Sequence, residues 1–319
     1  MRLVVFGRGH MEKVKVLSLF NGISCGRVAF ERAGIEVEKY VSYEVDDFAN
    51  EVAKKNYPND EYNGDVFKGD FTQYKGFDIV IGGSPCTYWS IAKRERETTS
   101  EGIGFELFKQ FVRAVKESEC KYFLYENNNS IHNDIKEEIS RQLGVKPIMI
   151  DSRLVSAQGR KRCYWTNIPG VEQPEDKGIL LQDILEAGGI AYAEKAYCIT
   201  SSYNGAVIWN SLERSQRTMV AERAEAEGPG VYKVEDGKVE IQSRKQNGEV
   251  RNGVYKIKLP NGLYKFRKAT PLEAERLQTL PDNYTSGVPT GQRYKQIGNG
   301  WTVDIIAHIV SYLLKIKAA

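Results

Sequence analysis

The 319-residue sequence has few of the side chains from which many enzymes build active sites. It contains only three histidines, so a zinc site or a histidine-based catalytic triad has little to draw on. Its five cysteines are widely scattered, form no pair at metal-ligand spacing, and are odd in number. These features predict neither a metal centre nor a disulfide framework of the kind that stabilises small secreted domains.

Long apolar runs and an N-terminal signal peptide are also missing from the sequence. No segment approaches the about 20 apolar residues that cross a bilayer. With 27% charged and 41% hydrophobic residues, the composition is that of a soluble protein, and we expect a cytoplasmic monomer with no membrane association and no obligate protein partner. The net charge of +3 is only weakly basic, so the case for a nucleic-acid site depends on where the charge clusters.

Residues 77–86 form the most informative stretch of the chain. An apolar run rich in β-branched residues ends in Gly82-Gly83-Ser84-Pro85 and is followed by Cys86. This pattern predicts a buried parallel strand with a loop at its carboxyl end, where open α/β sheets place their chemistry. A lone cysteine is commonly a small buried apolar residue, but this position makes Cys86 a candidate nucleophile.

The segment before this strand predicts a cofactor crevice. It reads as a strand at 14–20, a glycine turn at 21–26, a helix at 27–33 and a strand at 36–44. Glu44 follows the turn by about 20 residues, the spacing at which α/β folds bind a ribose, and Asp65 in a predicted short strand at 64–66 lies near the same crevice. Each carboxylate could instead be a cap or turn residue. Because the turn lacks the full phosphate-binding fingerprint, a nucleoside-type cofactor without phosphates is favoured.

Three further features point to the same site. The charged stretch 88–104 between glycines suggests a mobile lid. A predicted strand at 121–125 ends at Glu126, a candidate acid, although a solvent-facing loop carboxylate has the same pattern. Arg160 and Arg162 alternate at a strand start and could together reach a phosphate or a base carbonyl, whereas an exposed basic edge strand is the alternative.

Residues 168–267 have a different character, with few periodic helices and many short strand-like runs. Within 231–268 there are ten lysines and arginines against four acids, interleaved with tyrosine and phenylalanine. Asn-Gly pairs predict hairpin turns at 247–248, 252–253 and 261–262. The pattern is typical of a β-rich surface that binds nucleic acid, although a solvated β-meander gives the same signals, and 215–227 is helical or disordered by composition. A helix then opens at Thr270 with an N-cap and a proline.

Taken in order, six motifs resemble those of the cytosine-5 DNA methyltransferase family. They are residues 17–22, 84–86, 126–127, 158–162, 271–278 and 296–300. The first half is similar to the animal de novo DNA methyltransferases, and the end is more like bacterial and phage members. The resemblance implies a doubly wound, mostly parallel α/β sheet of the S-adenosylmethionine-dependent methyltransferase type, with a smaller β-rich target recognition domain. It divides the chain into an arm (1–13), a catalytic and cofactor-binding domain (14–167), a target recognition domain (168–267) and a return to the catalytic domain (268–319).

The resemblance also implies S-adenosyl-L-methionine as cofactor. Phe20 would stack on its adenine, Glu44 would bind the ribose hydroxyls, and Asp65 with Val66 would contact the adenine edge. The complete implied set is Phe20, Asn21, Gly22, Ile23, Ser24, Cys25, Gly26, Glu44, Val45, Asp65, Val66, Ser84, Asn299, Gly300 and Trp301.

For the chemistry, the resemblance implies that Cys86 attacks a cytosine flipped out of a specific duplex DNA sequence, with the 88–104 lid as clamp. Glu126 would hold a proton at ring nitrogen 3, and Arg162, supported by Arg160, would bind the base carbonyl or a phosphate. Two residues depart from the family pattern. Asn21 stands where aspartate is usual, and Asn128 stands where valine is usual, so its amide must find partners.

Three alternative functions remain open from the sequence. An RNA cytosine-5 methyltransferase is disfavoured by the long recognition insert. A catalytically silent DNA-binding relative is disfavoured by the presence of Cys86, Glu126 and Arg162 together. A nicotinamide dehydrogenase is disfavoured by the incomplete glycine turn.

Overall fold

The structure is a computed structural model that describes residues 13–90, 96–244 and 249–317. The chain divides into two compact units. Unit 1 comprises the residues up to Ile150, Arg162–Gln173 and the residues from Ile306 onward, and unit 2 comprises Asp151–Lys161 and Pro174–Ile305. The predicted arm lies outside the described residues except for Lys13. Within the described ranges, no helix is both long and apolar enough to cross a membrane.

The secondary structure follows the buried apolar runs of the sequence. The strands are β1 Val14–Leu19, β2 Val37–Tyr43, β3 Glu61–Asn63, β4 Ile79–Gly82, β5 Tyr122–Asn128, β6 Ile148–Asp151, β7 Lys161–Thr166, β8 Met219–Arg223, β9 Val231–Glu235, β10 Lys238–Arg244, β11 Val250–Lys256 and β12 Gly262–Lys268. The helices are α1 Cys25–Arg32, α2 Asp47–Asn56, α3 Ile103–Ser118, α4 Asn133–Leu143, α5 Ile208–Arg214, α6 Pro271–Leu277, α7 Thr290–Asn299 and α8 Val303–Lys317.

Unit 1 is built on a seven-stranded sheet with the order β3-β2-β1-β4-β5-β7-β6. The β1–β2, β2–β3, β1–β4 and β4–β5 pairs are parallel, and β5–β7 is antiparallel. The predicted mostly parallel α/β sheet is therefore confirmed. The chain runs outward from β1 to β3 and then returns to β4 on the other side of β1. This reversal makes a topological switch point, and ligands of open α/β sheets bind outside the strand ends at such a point.

Aromatic packing fixes the middle of this sheet. Every residue of β4 is buried, and α3 covers it with a face that includes the fully buried Phe108 and Phe111. Both rings pack on Tyr125 of β5, with centroid distances of 5.1 and 4.9 Å. The strands that carry the candidate catalytic residues thus belong to a close-packed core, which limits their movement.

One predicted strand of unit 1 is wrong. The short strand expected at 64–66 lies earlier, at β3, and Asp65 instead caps a short 3-10 helix, Val66–Lys68. Its Oδ1 accepts a hydrogen bond from the Phe67 backbone N–H at 3.0 Å. The capping alternative for this aspartate is therefore what the local structure shows.

Unit 2 contains a five-stranded sheet in the order β11-β10-β9-β12-β8, in which each pair of neighbouring strands is antiparallel. The helical or disordered prediction for 215–227 is wrong, because β8 lies there and pairs with β12. The turn predicted at Asn252-Gly253 is also wrong, since both residues lie inside β11. The β9–β10 hairpin turns at Asp236 and Gly237, whose φ angles of 48° and 66° suit a primed turn. The predicted turn at 247–248 is outside the described residues.

Of the helices in unit 2, the sequence predicted α6 but neither α5 nor α7. The predicted start of α6 is confirmed, because Thr270 Oγ1 accepts from the Glu273 N–H at 3.2 Å and Glu273 Oε2 accepts from the Thr270 N–H at 2.8 Å. Unit 2 also takes in residues 268–305, whereas the sequence assigned them to the catalytic domain, and the functional division into domains stays a prediction.

We expect Gly298→Ala to destabilise the protein, because α7 lies directly on another backbone segment there. A Cβ at Gly298 would lie 2.1 Å from the Thr200 carbonyl carbon, so the backbone would have to shift. The expected cost is about 1–3 kcal/mol of unfolding free energy, measured by denaturant titration. Gly291→Ala in the same helix is the control, since its Cβ would meet only Asn204 Nδ2 at 3.5 Å and alanine favours helix. Equal stability of the two variants would contradict this packing.

Candidate active site

The Cys86 loop leaves the carboxyl end of β4, as predicted, and Cys86 begins a short 3-10 turn that ends at Tyr88. Two contacts from β5 fix the loop just before the cysteine. The Ser84 and Tyr125 hydroxyl groups are 2.6 Å apart, and Asn127 Nδ2 donates to the Ser84 carbonyl oxygen at 3.2 Å. Burial raises the pKa of Tyr125, which keeps its hydroxyl group protonated. The backbone that carries Cys86 is therefore fastened to the core.

Sequence reasoning missed this network because it treated Tyr125 only as part of an apolar strand. A signal was present, since a buried tyrosine hydroxyl requires a hydrogen-bond partner. A serine in the loop after the neighbouring parallel strand is a natural candidate for that partner.

Glu126 and Arg162 form the charged pair of the site. Arg162 Nε lies 3.1 Å from Glu126 Oε1, and the two side chains are only 15% and 11% exposed. They come from the antiparallel neighbours β7 and β5, in which Arg162 pairs with Asn128. Strand β5 continues to Asn128 because β7 pairs with it along this stretch. Glu126 therefore lies inside β5, whereas the sequence predicted a strand that ends at residue 125. The guanidinium group holds the carboxyl group in one orientation through a charge-assisted hydrogen bond.

The two departures from the family pattern both have local partners. Asn128 Oδ1 accepts from the Ser130 backbone N–H at 2.9 Å and from its hydroxyl group at 2.7 Å. Asn21 is 8% exposed, accepts from the Ser18 and Tyr40 hydroxyl groups at 2.9 and 3.0 Å, and donates to Ser24 at 2.8 Å. The expectation that the Asn128 amide must find partners is confirmed. Asn21 belongs to a buried hydrogen-bond network with Ser18, Ser24 and Tyr40 that stabilises the glycine turn.

Three other cysteines, Cys25, Cys120 and Cys163, are poorly suited to nucleophilic attack. Cys25 and Cys163 are buried, and burial raises the pKa of Cys163. Burial also raises the pKa of Cys120 to about 11. Because the thiolate is the reactive form, a raised pKa makes a cysteine a weaker nucleophile at neutral pH. Cys120 precedes β5 and so lies at the opposite end of the sheet from Cys86.

Arg160 does not extend toward a shared ligand with Arg162 in this structure. It belongs to unit 2 and is 5% exposed. Its guanidinium group donates to the carbonyl oxygens of Ile199 at 2.9 Å, Gly298 at 3.2 Å and Gly300 at 2.9 Å. These contacts occupy the donors and fix the end of α7. Arg160 is therefore placed as a positioning residue for the 298–300 segment, and a direct role in catalysis stays a prediction.

The candidate cofactor crevice lies at the carboxyl ends of β1 and β2. Glu44 Oε2 accepts from the Gly22 N–H at 2.8 Å, and its Oε1 accepts from the Val45 and Asp46 N–H groups at 2.8 and 2.9 Å. Phe20 and Gly22 adopt positive φ angles of 56° and 54°, which turn the chain sharply after β1. The carboxylate of Glu44 is thereby fixed beside the turn.

These residues fit a nucleoside-type cofactor. Glu44 offers carboxylate oxygens to hydroxyl groups, Val45 is 70% exposed beside it, and Phe20 is partly buried, so apolar surface is present for an adenine ring. The crevice is in unit 1, whereas Asn299, Gly300 and Trp301 belong to unit 2, and their contact with the cofactor stays a prediction. The same applies to the other residues of the predicted set.

We expect Glu44→Ala to weaken S-adenosylmethionine binding by about 10- to 100-fold, the cost of losing hydrogen bonds to a charged group. Isothermal titration calorimetry with S-adenosylmethionine measures this effect. Glu38→Ala is the control, because Glu38 lies on β2, which Glu44 follows, but is exposed and pairs with Lys15. Equal cofactor affinity of the two variants would remove Glu44 from the cofactor site.

The predicted lid at 88–104 is described only in part, because 91–95 lie outside the described residues. Its two flanks are tied together by Glu97, whose Oε2 accepts from Trp89 Nε1 at 3.1 Å and from the Gly104 N–H at 3.1 Å. Arg96 donates to the Ser130 carbonyl oxygen at 2.7 Å. Both ends of the stretch are thus anchored, and the mobility of its middle stays a prediction.

Comparison with known proteins identifies the family of the chain. The model of the family "C-5 cytosine-specific DNA methylase" matches residues 14–145 and 156–315. The chain is 26% identical to the type II methyltransferase M1.ScrFI of Lactococcus lactis subsp. cremoris, over 95% of this chain and 79% of that protein. It is also 26% identical to the type II methyltransferase M.NlaX of Neisseria lactamica, over 94% and 96% respectively.

Among solved structures, the Entamoeba histolytica methyltransferase EhMeth superposes with a TM-score of 0.65 and 16% identity, covering 96% of this chain and 99% of that one. That likeness supports the methyltransferase fold, and the family match covers most of the sequence. The chain therefore belongs to the C-5 cytosine-specific DNA methylase family, and it is a methyltransferase that takes its methyl group from S-adenosylmethionine.

Proposed function

We propose that this protein methylates carbon 5 of a cytosine flipped out of a specific sequence in duplex DNA, through a covalent adduct with Cys86. The observation that carries the proposal is the position of the Cys86 loop at the end of β4, next to the strand β5 that presents Glu126 held by Arg162. A fixed nucleophile loop beside an oriented carboxyl group suits covalent catalysis with acid assistance.

The residues account for each requirement of the reaction. Carbon 5 of cytosine is a poor nucleophile, so the Cys86 thiolate adds to carbon 6 and makes the ring an enamine. Glu126 holds a proton at ring nitrogen 3, which receives the carbon 4–nitrogen 3 π pair as the carbon 5–carbon 6 π pair moves to the carbon 4–carbon 5 bond. Arg162 keeps Glu126 oriented toward that position. When bound, S-adenosylmethionine would supply an electrophilic methyl group to carbon 5 and leave as the neutral thioether. Loss of the carbon 5 proton then expels the Cys86 thiolate and restores the aromatic ring.

Cys86 and Glu126 cannot reach a cytosine inside a duplex, because both faces of the base are stacked on its neighbours. The base must therefore rotate out of the helix before Cys86 can reach carbon 6. The anchored 88–104 stretch follows the nucleophile directly and is the candidate clamp on the extruded base. The basic β-rich sheet of unit 2 provides the candidate surface for the DNA backbone.

A side-by-side transfer assay tests this function. The purified full-length chain is incubated with radiolabelled S-adenosylmethionine and either duplex DNA or transfer RNA, and label in each polymer is counted. We expect label in DNA, located at carbon 5 of cytosine in one sequence context by bisulfite sequencing. Label only in RNA would establish the RNA alternative, and cofactor binding without label in either polymer would indicate a silent relative.

A further inference from the structure

The β10–β11 hairpin forms a two-stranded ribbon at one edge of the sheet in unit 2. The two strands pair along their full length from Lys238↔Lys256 to Arg244↔Val250. Strand β9 pairs with β10 only at Lys238 and Val239. Among the residues that the structure describes, the outer half of the ribbon therefore has no third strand beside it.

The two faces of this ribbon differ in chemistry. Val239 and Ile241 are buried on one face, and on the same side Tyr255 donates to Glu213 of α5 at 2.6 Å. The opposite face is exposed. It presents Glu240, Gln242, Asn252 and Val254. Because the buried face of the ribbon packs against α5, the position of the exposed face is fixed.

Two amide side chains stand opposite each other at the centre of the exposed face. Gln242 and Asn252 are direct cross-strand partners, so their side chains emerge together. Neither amide forms a hydrogen bond with another residue in the described part of the chain. Glutamine and asparagine are the side chains that bind adenine through paired donor and acceptor groups in the major groove, which is wide enough for a two-stranded ribbon.

Val254 adds a second feature that suits the same base pair. It is 66% exposed, and it lies on the same face as Asn252. The methyl group of thymine projects into the major groove and is contacted by apolar side chains. An amide pair beside an exposed valine therefore presents complementary groups to both bases of an A·T pair.

The base of the ribbon carries unbalanced positive charge. Lys238 and Lys256 face each other directly across the two strands, and Glu235 of β9 lies opposite Lys238 on its other side. The cleft of about 660 Å³ at this end is lined by more basic residues (Arg153, Lys195, Lys238, Lys256, Lys258) than acidic ones (Glu194, Asp236). Phosphate groups of a nucleic-acid backbone would balance the remaining positive charge.

We propose that the exposed face of the β10–β11 ribbon enters the major groove of the target DNA and selects an A·T base pair. Gln242 and Asn252 share the adenine edge, one amide donating to ring nitrogen 7 and the other accepting from the amino group. Val254 contacts the thymine methyl group, and Lys238 and Lys256 bind flanking phosphates. This inference depends on the proposed DNA methylation and adds the residues that determine its sequence specificity.

The test is methylation of a duplex library in which the base pairs around a fixed cytosine are randomised, analysed by bisulfite sequencing. The wild-type chain is expected to require an A·T pair at one position. Gln242→Ala and Asn252→Ala are each expected to reduce that preference by roughly 10- to 100-fold. Gln242→Glu is expected to shift the preference at that position toward cytosine, whose amino group donates to a carboxylate. Gln216→Ala, an exposed amide outside the ribbon, is expected to keep the wild-type preference.

A separate binding measurement addresses the phosphate contacts. Lys256→Ala is expected to weaken DNA binding equally for all sequences and to reduce the slope of log affinity against log salt by about 1. Thermal unfolding of every variant checks that its fold is intact. If wild-type methylation shows no A·T requirement, or if the ribbon variants keep it, the ribbon assignment is wrong while the proposed function stands. If the wild-type chain methylates no DNA, both are wrong.

Discussion

Replacing Cys86 by serine is expected to reduce methyl transfer to duplex DNA by roughly 10⁴-fold or more, a loss comparable with removal of other essential nucleophiles. Serine retains nearly the same shape, but its hydroxyl group is far less acidic and far less nucleophilic than a thiol, so addition to carbon 6 fails. Single-turnover transfer of radiolabelled methyl groups measures the effect.

The matched control for this change is Cys120→Ser. It makes the same chemical substitution in unit 1, at the opposite end of the sheet, in a cysteine whose pKa is raised to about 11. We expect it to retain wild-type activity, and we expect Cys86→Ser to retain cofactor affinity. Undiminished transfer by Cys86→Ser would exclude the covalent mechanism.

Glu126→Gln is expected to lower kcat by about 10²- to 10⁴-fold, the usual contribution of a positioned acid. Glutamine keeps the size of the side chain and can still accept from Arg162, so the change isolates the loss of the proton and the charge. Affinity for S-adenosylmethionine should stay at the wild-type value, because Glu126 is not in the cofactor crevice. Steady-state kinetics and calorimetry separate the two effects.

Glu137→Gln provides the comparison, since Glu137 is an exposed carboxylate on α4 of the same unit. It is expected to behave as wild type. A Glu126→Gln enzyme with kcat within twofold of wild type would show that ring nitrogen 3 is protonated by another group.

The parts of the fold that the sequence predicted are those with strong local signals. β4 is a continuous buried apolar run and β1 is mostly one, interrupted by Lys15 and Ser18, and a glycine turn follows each strand. Helix α6 was predicted from the Thr270 cap and its proline, and Glu273 completes a reciprocal capping box. Such signals depend on residues that are close in the chain, so these elements can be predicted without the tertiary structure.

The wrong predictions concern residues whose structure is decided by pairing with segments that are distant in the chain. Asn252-Gly253 is a strong turn signal, yet pairing with Gln242 and Ile241 keeps both residues in β11. Arg160 alternates with Arg162 in the sequence, but its donors meet carbonyl groups more than 35 residues away. Spacing along one strand carries no information on such partners.

The most direct test of the central claim is to trap the Cys86 adduct. In duplex DNA whose target cytosine is replaced by 5-fluorocytosine, the methylated intermediate has no proton to lose at carbon 5, so the thiolate cannot be expelled. Incubation with the wild-type chain and S-adenosylmethionine is predicted to give a complex that survives denaturing electrophoresis, with the nucleotide attached to Cys86 by peptide mass spectrometry. The account is contradicted if the wild-type chain methylates ordinary cytosine in this duplex but forms no such complex, or forms one through another residue.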